Sequence, residues 1–465
     1  MNFFSIEFTL LFLLFLTIYW SIKDIKYQNM AILVFNYTLI FILGNFYVAL
    51  VLLLYSICIH FFALWIATSK KRFILLLSIA LAVLNLCFFK YFPSIKNFFE
   101  IIFKDIGFND NQIEILMPLG ISFYTFASIT YLKWVYDGRI QNSVFNKNLQ
   151  SFEHLASYLS FFPTFISGPI MRAEYFFAQF EKPRIWQPQN TGLIFILLLF
   201  GIFKKIIIAN YAGIYTTEIF KDPYSFNAIE LLLAIYGYSL QIYCDFSGYV
   251  NLVSAFALMI GFTLPPNFNM PYTAKNLKDF WSRWHISLST FIRDFIYIPL
   301  GGNKKGFFYT QIFVLISFGI SGIWHGNTLN FLIWGLLHGC GIIIVNILQR
   351  LKISFSFLPL LSKLITFNFV TFCWIFFYYP DLSQSLDFIK AFKSNVPISP
   401  ENIILLCLAF VIFFIYQFSI HLESFCITLF KKIPNTMKPL WLALLLIVIF
   451  SIMPSGIPNF IYAGF

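Results

Sequence analysis

Residues 319–339 read GISGIWHGNTLNFLIWGLLHG, and residues 275–302 read KNLKDFWSRWHISLSTFIRDFIYIPLGG. Together the two stretches hold His285, His325 and His338, three of the six histidines in the chain. In the later stretch the pattern Gly-x-x-His-Gly occurs twice, at Gly322–Gly326 and at Gly335–Gly339. Paired small residues let another backbone, or a substrate, approach closely. One unbroken helix over 320–340 would set His325 and His338 roughly 220° apart, at ~100° per residue. They would then face different sides, and at most one would act on a given substrate unless the chain breaks near Gly326 and Asn327.

The earlier stretch carries Leu277, Phe280, Trp281, Trp284, Leu288, Phe291, Ile292 and Phe295 at helical spacing. This pattern predicts one amphipathic helix, ended by Pro299 and the pair Gly301-Gly302. Off its apolar face runs a polar stripe of Lys278, Ser282, His285, Ser289 and Arg293. Such a helix lies along a membrane interface or dips into a polar cavity.

Outward from these stretches the chain is apolar. Of 465 residues 59% are hydrophobic and 11% charged, and mean hydropathy is +0.79. A soluble fold of this size cannot bury that much apolar surface, so the reading is an all-α polytopic membrane protein embedded in lipid. The formal charge of +11 sits mostly in short loops between apolar runs. It is read as membrane topology and contact with anionic lipid rather than nucleic acid. The seven cysteines lie mostly inside apolar runs and form no CxxC or other metal-ligand spacing. No metal is expected.

Apolar runs long enough to span lie near 3–20, 29–45, 46–67, 73–92, 117–139, 191–210, 228–244, 247–264, 307–324, 328–348, 362–379, 402–420 and 440–462. Residues 152–171 are interrupted by Pro163, Gly168 and Pro169 and read as a broken or re-entrant element. The expected total is about 11 or 12 spans with one or two re-entrant pieces. Residues 93–114 and 140–151 read as polar loops, and 172–190 as a soluble loop. The first span reads as retained rather than as a cleaved signal, since a basic leader and a small-residue cleavage site are lacking. The basic clusters at Lys23–Lys26 and Lys70–Arg72 place one side in the cytoplasm and the N-terminus outside.

Ionisable side chains inside spans are functional candidates. Asp245 follows Gln241 by four residues in QIYCDFSGY and is either functional or a buried acid paired with an arginine for architecture. His325 is the sharpest case. An imidazole held among apolar groups is kept neutral, because desolvation disfavours the charged form, and neutral imidazole is a competent general base near pH 7. The alternative is a core histidine satisfied by a backbone carbonyl. There is no HExxH, G-x-S-x-G, P-loop or carboxylate pair, so protease, serine hydrolase, ATPase and glycosidase readings lack support. A transporter without group-transfer chemistry accounts for the spans but gives His325 no task.

Six segments in order resemble the membrane-bound O-acyltransferase (MBOAT) family, in its bacterial AlgI, DltB and PatA branch. They are PLGISFYTF (118–126), FFPTFISGPIMR (161–172), GIFKKIIIAN (201–210), YSLQIYCDFSGY (238–249), FWSRWHISLSTFIRDFIYIPLGG (280–302) and SGIWHGNTLNFLIWGLLHG (321–339). The sequence departs from the family at Trp134, where Asp is usual, and at Asn210 and Asn251, where acids are usual. The resemblance implies one membrane domain over 1–465, with N-terminal spans to 117, a core at 118–340 and C-terminal spans from 341, around a cavity or tunnel. It implies an O-acyltransferase with His325 as the catalytic histidine and His285 as the second. Trp324, Asp245, Arg283, Trp284, Asn327 and His338 would support or line the cavity, and Lys278 and Arg293 would hold the donor. The implied donor is an acyl thioester, acetyl-CoA, with no tightly bound cofactor. The implied partner is an extracytoplasmic SGNH-type, PatB-like transferase acting on peptidoglycan, with an exopolysaccharide or teichoic acid as alternative acceptors.

Overall fold

A computed structural model describes residues 5–105, 117–138, 148–187, 190–353, 358–434 and 436–454. Among them there are helices and connecting loops and no strand. Among the described residues eight helices are long and apolar enough to cross a membrane, and two shorter apolar ones, Ile6–Ser21 and Pro400–Tyr416, accompany them. The chain is therefore an all-α, multi-pass integral membrane protein. The chain divides into two compact units, residues 1–188 with 256–265, and residues 189–255 with 266–465.

The first unit contains α1 (Ile6–Ser21), α2 (Ile25–Gly44), α3 (Phe46–Ser69), α4 (Arg72–Asp105), α5 (Ile121–Tyr136), α6 (Asn148–Leu159), α7 (Phe162–Phe165) and α8 (Ala173–Phe180). Asn45 separates α2 from α3 with φ 93°, and the left-handed Lys70 ends α3. The stretch expected to be broken is so: α6 stops at Leu159 and the one-turn α7 follows with Pro163 in its first turn. Its freed backbone groups are met inside the protein. The Phe162 N–H donates to Asn36 Oδ1 at 3.3 Å, and the Met171 carbonyl accepts from the Tyr158 hydroxyl at 2.6 Å. That satisfies the rule that irregular backbone at membrane depth must be shielded by protein. Two expectations change here. Residues 93–105 continue α4 rather than forming a loop, and residues 106–114 lie outside the described part, as do 455–462 of the last expected span. The expected span from 117 is the 16-residue α5, buried on nearly every side.

The second unit contains α9 (Thr191–Ile202), a π-helical turn (Phe203–Ile208), α10 (Ala209–Lys221) and α11 (Ala228–Met259). Then come α12 (Leu277–Trp281), α13 (Ile286–Ile292), α14 (Ile298–Leu300), α15 (Phe307–His325) and α16 (Leu329–Arg350). The unit closes with α17 (Pro359–Tyr378), α18 (Leu382–Ala391), α19 (Pro400–Tyr416), α20 (Ile420–Lys432) and α21 (Lys438–Ser451). The two spans expected at 228–244 and 247–264 are one 32-residue helix, because nothing between them breaks the helical path: Asp245, expected to be functional or a buried acid with a basic partner, is buried there in an ion pair with Lys205. The partner is a lysine, not the expected arginine. It is delivered by a close crossing of α9 and α11, where a Cβ on Gly248 would sit 3.0 Å from the Gly201 carbonyl oxygen.

The helix expected over 277–298 is also corrected. It is broken at Ser282–His285, and a second π-helical turn occupies Arg293–Tyr297 before Gly301 ends the element at φ 131°. The polar stripe consequently does not run along one helix. Both halves still bury their apolar residues, Leu277, Phe280 and Trp281 in one and Leu288 and Phe291 in the other. The periodicity survives the break because each half keeps its own inward face.

Candidate active site

The sequence GISGIWHGNTLNFLIWGLLHG folds as a helical hairpin. α15 ends on His325, three residues turn, and α16 starts at Leu329. The turn is where Gly326 and Asn327 suggested a break. The two Gly-x-x-His-Gly patterns are the contact. A Cβ on Gly322 would meet the Phe331 carbonyl oxygen at 2.3 Å, and one on Gly335 would meet the Phe318 carbonyl oxygen at 2.3 Å. Only glycine allows backbones to approach this closely. The antiparallel return changes the expectation that His325 and His338 face apart: both meet the ring of Trp334, at centroid distances of 4.9 and 5.1 Å.

His325 is 3% exposed. Trp324 lies against it at 4.5 Å, and Trp334 and Phe377 stand edge-on to it at 4.9 and 5.1 Å. Phe377 and Trp374 come from α17, and Trp374 stacks on Trp334 at 5.9 Å. Trp284, fully buried, extends the cluster by packing on Phe280 and Trp374. The hairpin is tied to the C-terminal end of α17 and to α18 by Asn330, whose amide donates to the Tyr379 carbonyl at 2.8 Å and to Ser385 Oγ at 2.9 Å.

His338 is fully buried and accepts a hydrogen bond at Nδ1 from the Trp281 indole N–H at 3.3 Å. His285 sits in a neighbouring environment. It caps α13 in the left-handed region, φ 42° and ψ 53°, with Phe246 edge-on to its ring at 4.8 Å. Its Nδ1 lies 3.2 Å from Asn267 Oδ1. That oxygen also accepts from the Ser287 backbone N–H at 3.2 Å and from Ser287 Oγ at 2.7 Å. The backbone N–H fixes the amide's orientation, so His285 Nδ1 donates and Nε2 carries the lone pair. Burial pushes the His285 imidazole down to about 3, so it is neutral near pH 7.

The remaining candidates are dispersed. Arg283 Nε donates to Asp279 Oδ1 at 2.6 Å and Nη1 to the Asn269 carbonyl at 3.2 Å. Asn327 is exposed in the hairpin turn. Lys278 donates to Gln349 Oε1 at 2.6 Å, and burial lowers its ammonium's proton affinity. Arg293 is exposed and paired with Asp294, which strengthens its hold on the proton. Lys278 and Arg293 are thus bound to different neighbours. A cavity of about 590 Å³ opens beside Lys278, lined by Lys275, Lys352, Gln349, Leu277, Gly341 and Phe369 among others. Phe369 in turn meets the His338 ring at 6.1 Å. Among the described residues no three His, Cys, Asp or Glu side chains lie close enough together to share a metal ion.

Sequence reading missed Asn267, Trp334, Trp374, Phe377 and Lys205. The signal for Asn267 is an amide between prolines in PPNFNMPY; for the aromatics there is none in a chain with 63 phenylalanines.

Residues 138–386 match the family described as MBOAT, membrane-bound O-acyltransferase family. The chain belongs to the MBOAT family. It is 33% identical over 347 residues to the Helicobacter pylori "Peptidoglycan O-acetyltransferase", covering 69% of this chain and 65% of that protein. It is 32% identical over 387 residues to the Pseudomonas aeruginosa "Probable alginate O-acetylase AlgI", covering 81% and 72%. With the Bacillus subtilis "Teichoic acid D-alanyltransferase" it is 29% identical over 273 residues, covering 55% and 67%. The chain thus spans about two thirds of the length of these MBOAT relatives.

Proposed function

We propose that this MBOAT protein transfers an acetyl group from acetyl-CoA to a hydroxyl acceptor in the bacterial cytoplasmic membrane, serving peptidoglycan O-acetylation with a separate extracytoplasmic SGNH-type transferase. The observation that carries the reading is His325, held at the broken end of α15 inside an aromatic wall. His325 takes the proton of the acceptor hydroxyl while that oxygen attacks the thioester carbonyl carbon. The tetrahedral oxyanion collapses, the carbon–sulfur bond breaks, and the thiolate recovers the proton from His325. The products are an ester and a thiol. The cavity beside Lys275, Lys278 and Lys352 suits the donor, whose phosphates are anionic and whose pantetheine arm is slender.

Peptidoglycan as acceptor is supported by the Helicobacter pylori relative. The longer match to the alginate O-acetylase supports a second reading, acetylation of an exopolysaccharide. The test is mass spectrometry of muropeptides from a deletion strain carrying either the native gene or His325→Ala, with protein levels compared. Acetyl esters present with the native gene and reduced by about 10²-fold or more in the variant are expected. Unacetylated muropeptides with acetylated secreted polysaccharide would transfer the assignment to the second reading. Acetylation that persists in the variant would remove His325 from the mechanism.

A further inference from the structure

The cluster beside His325 contains more hydrogen-bond donors than acceptors. Trp334, Trp374 and His338 are between 0% and 1% exposed, and their rings form a triangle with centroid separations of 5.9, 5.1 and 6.3 Å. An indole N–H can only donate. His338 Nδ1 is occupied as an acceptor by the Trp281 indole N–H, so the ring proton is on Nε2. Trp334 Nε1, Trp374 Nε1 and His338 Nε2 are buried, and none has a hydrogen-bond partner among the described residues. Buried polar groups are nearly always satisfied, and each exception calls for an explanation, a binding or catalytic role among them. The rings pressed around the triangle, Phe280, Trp281, Phe369 and Phe377, supply no oxygen.

We propose that Trp334, Trp374 and His338 form a cradle for the carbonyl oxygen of the acyl thioester and for the oxyanion it becomes. The inference rests on the acyl-transfer reading above and adds residues to it. Three neutral donors and no cation suit an oxygen whose charge is partial in the substrate and full only in the transition state. A phosphate or carboxylate would be charged throughout and call for a cation. His325 stands edge-on to Trp334, so an oxygen held by this indole places the carbonyl carbon beside the base. As the acceptor oxygen bonds to that carbon, the C=O π pair moves onto the cradled oxygen. On collapse it returns and the sulfur leaves. Preorganised donors aimed at developing charge are the largest single contribution in many acyl transfers.

The test replaces one N–H while leaving the ring. Trp334, and separately Trp374, is exchanged for 3-benzothienylalanine, which has sulfur in place of the indole N–H, in full-length protein purified in detergent. Each exchange is expected to lower kcat by about 10²- to 10³-fold with KM for acetyl-CoA nearly unchanged, and a packing role would leave kcat within a few-fold. A second measurement does not need turnover. Infrared difference spectra of [1-¹³C]acetyl-CoA bound to His325→Ala should show the thioester carbonyl stretch shifted down. The shift should shrink when Trp334 is also exchanged. Bound donor with an unshifted carbonyl overturns the cradle and leaves the acyl-transfer reading standing. Acetyl-CoA that does not bind the protein overturns this donor assignment together with the cradle.

Discussion

Two histidines with the same side chain are held by their neighbours in opposite tautomers. Asn267 makes His285 a donor at Nδ1 and leaves its lone pair on Nε2, whereas Trp281 makes His338 an acceptor at Nδ1 and leaves its proton on Nε2. Both histidines were legible in the sequence, His338 as an ionisable residue inside an apolar run and His285 as a member of the polar stripe. Their tautomers were not, because Asn267 lies in an extended loop and Trp281 reaches His338 only through tertiary packing. The depressed proton affinity of His285 has a consequence for stability. Between its folded value of about 3 and the usual value near 6.5 the unfolded chain binds a proton that the folded protein refuses. Stability is therefore complete above that upper value and falls as pH drops through the window. Thermal melting in detergent should show the native protein losing up to about 1.4 kcal/mol per pH unit more than His285→Asn below pH 6.5. Asparagine tolerates the left-handed backbone and can keep the donor to Asn267. Equal slopes would mean that His285 is not buried neutral.

At the scale of elements, the α15–α16 hairpin was half legible. Paired glycines announced a close approach. Whether the approach was to a substrate, to another helix or within one hairpin depended on a break that a three-residue turn provides. The close approach can be tested by adding a single carbon. Gly335→Ala puts a Cβ 2.3 Å from the Phe318 carbonyl oxygen, so the helices must part, whereas at Gly319 the nearest atom would be 3.7 Å away. Gly335→Ala should cost about 1–3 kcal/mol or more and lower activity, since His325 and His338 lie on the two helices of the hairpin. Gly319→Ala should leave both unchanged within error. Thermal midpoints and acetyl transfer measured on the same preparations decide it. The stretch from Leu277 to Tyr297 failed as a single helix for a complementary reason: periodicity reports which residues face inward, not whether the backbone between them is continuous.

For the whole molecule, composition sufficed to declare a membrane protein, and hydropathy located most spans. It overcounted where one long helix carried two apolar maxima, as in α11, and where a short helix such as α5 is apolar because it is buried in protein. No property of a single segment foretells the basic cavity near Lys278, since Lys275 and Lys352 come from separate elements. If that cavity receives the donor's phosphates, Lys275→Glu and Lys352→Glu should each raise KM for acetyl-CoA several-fold at low salt, with kcat nearly unchanged. Added salt should narrow the difference, as screening dictates. Arg293→Glu, away from the cavity, should do neither.

The left-handed backbone at His285 points to a compromise in the history of this chain. A glycine there would relax the main chain, and a β-carbon costs about 1–2 kcal/mol in that conformation. Durability alone would favour glycine, yet the position holds an imidazole hydrogen-bonded to Asn267 Oδ1, an oxygen that Ser287 also holds through its backbone N–H and its hydroxyl. A search for sturdier variants that tried glycine there would trade this hydrogen-bonded ring for an easier backbone.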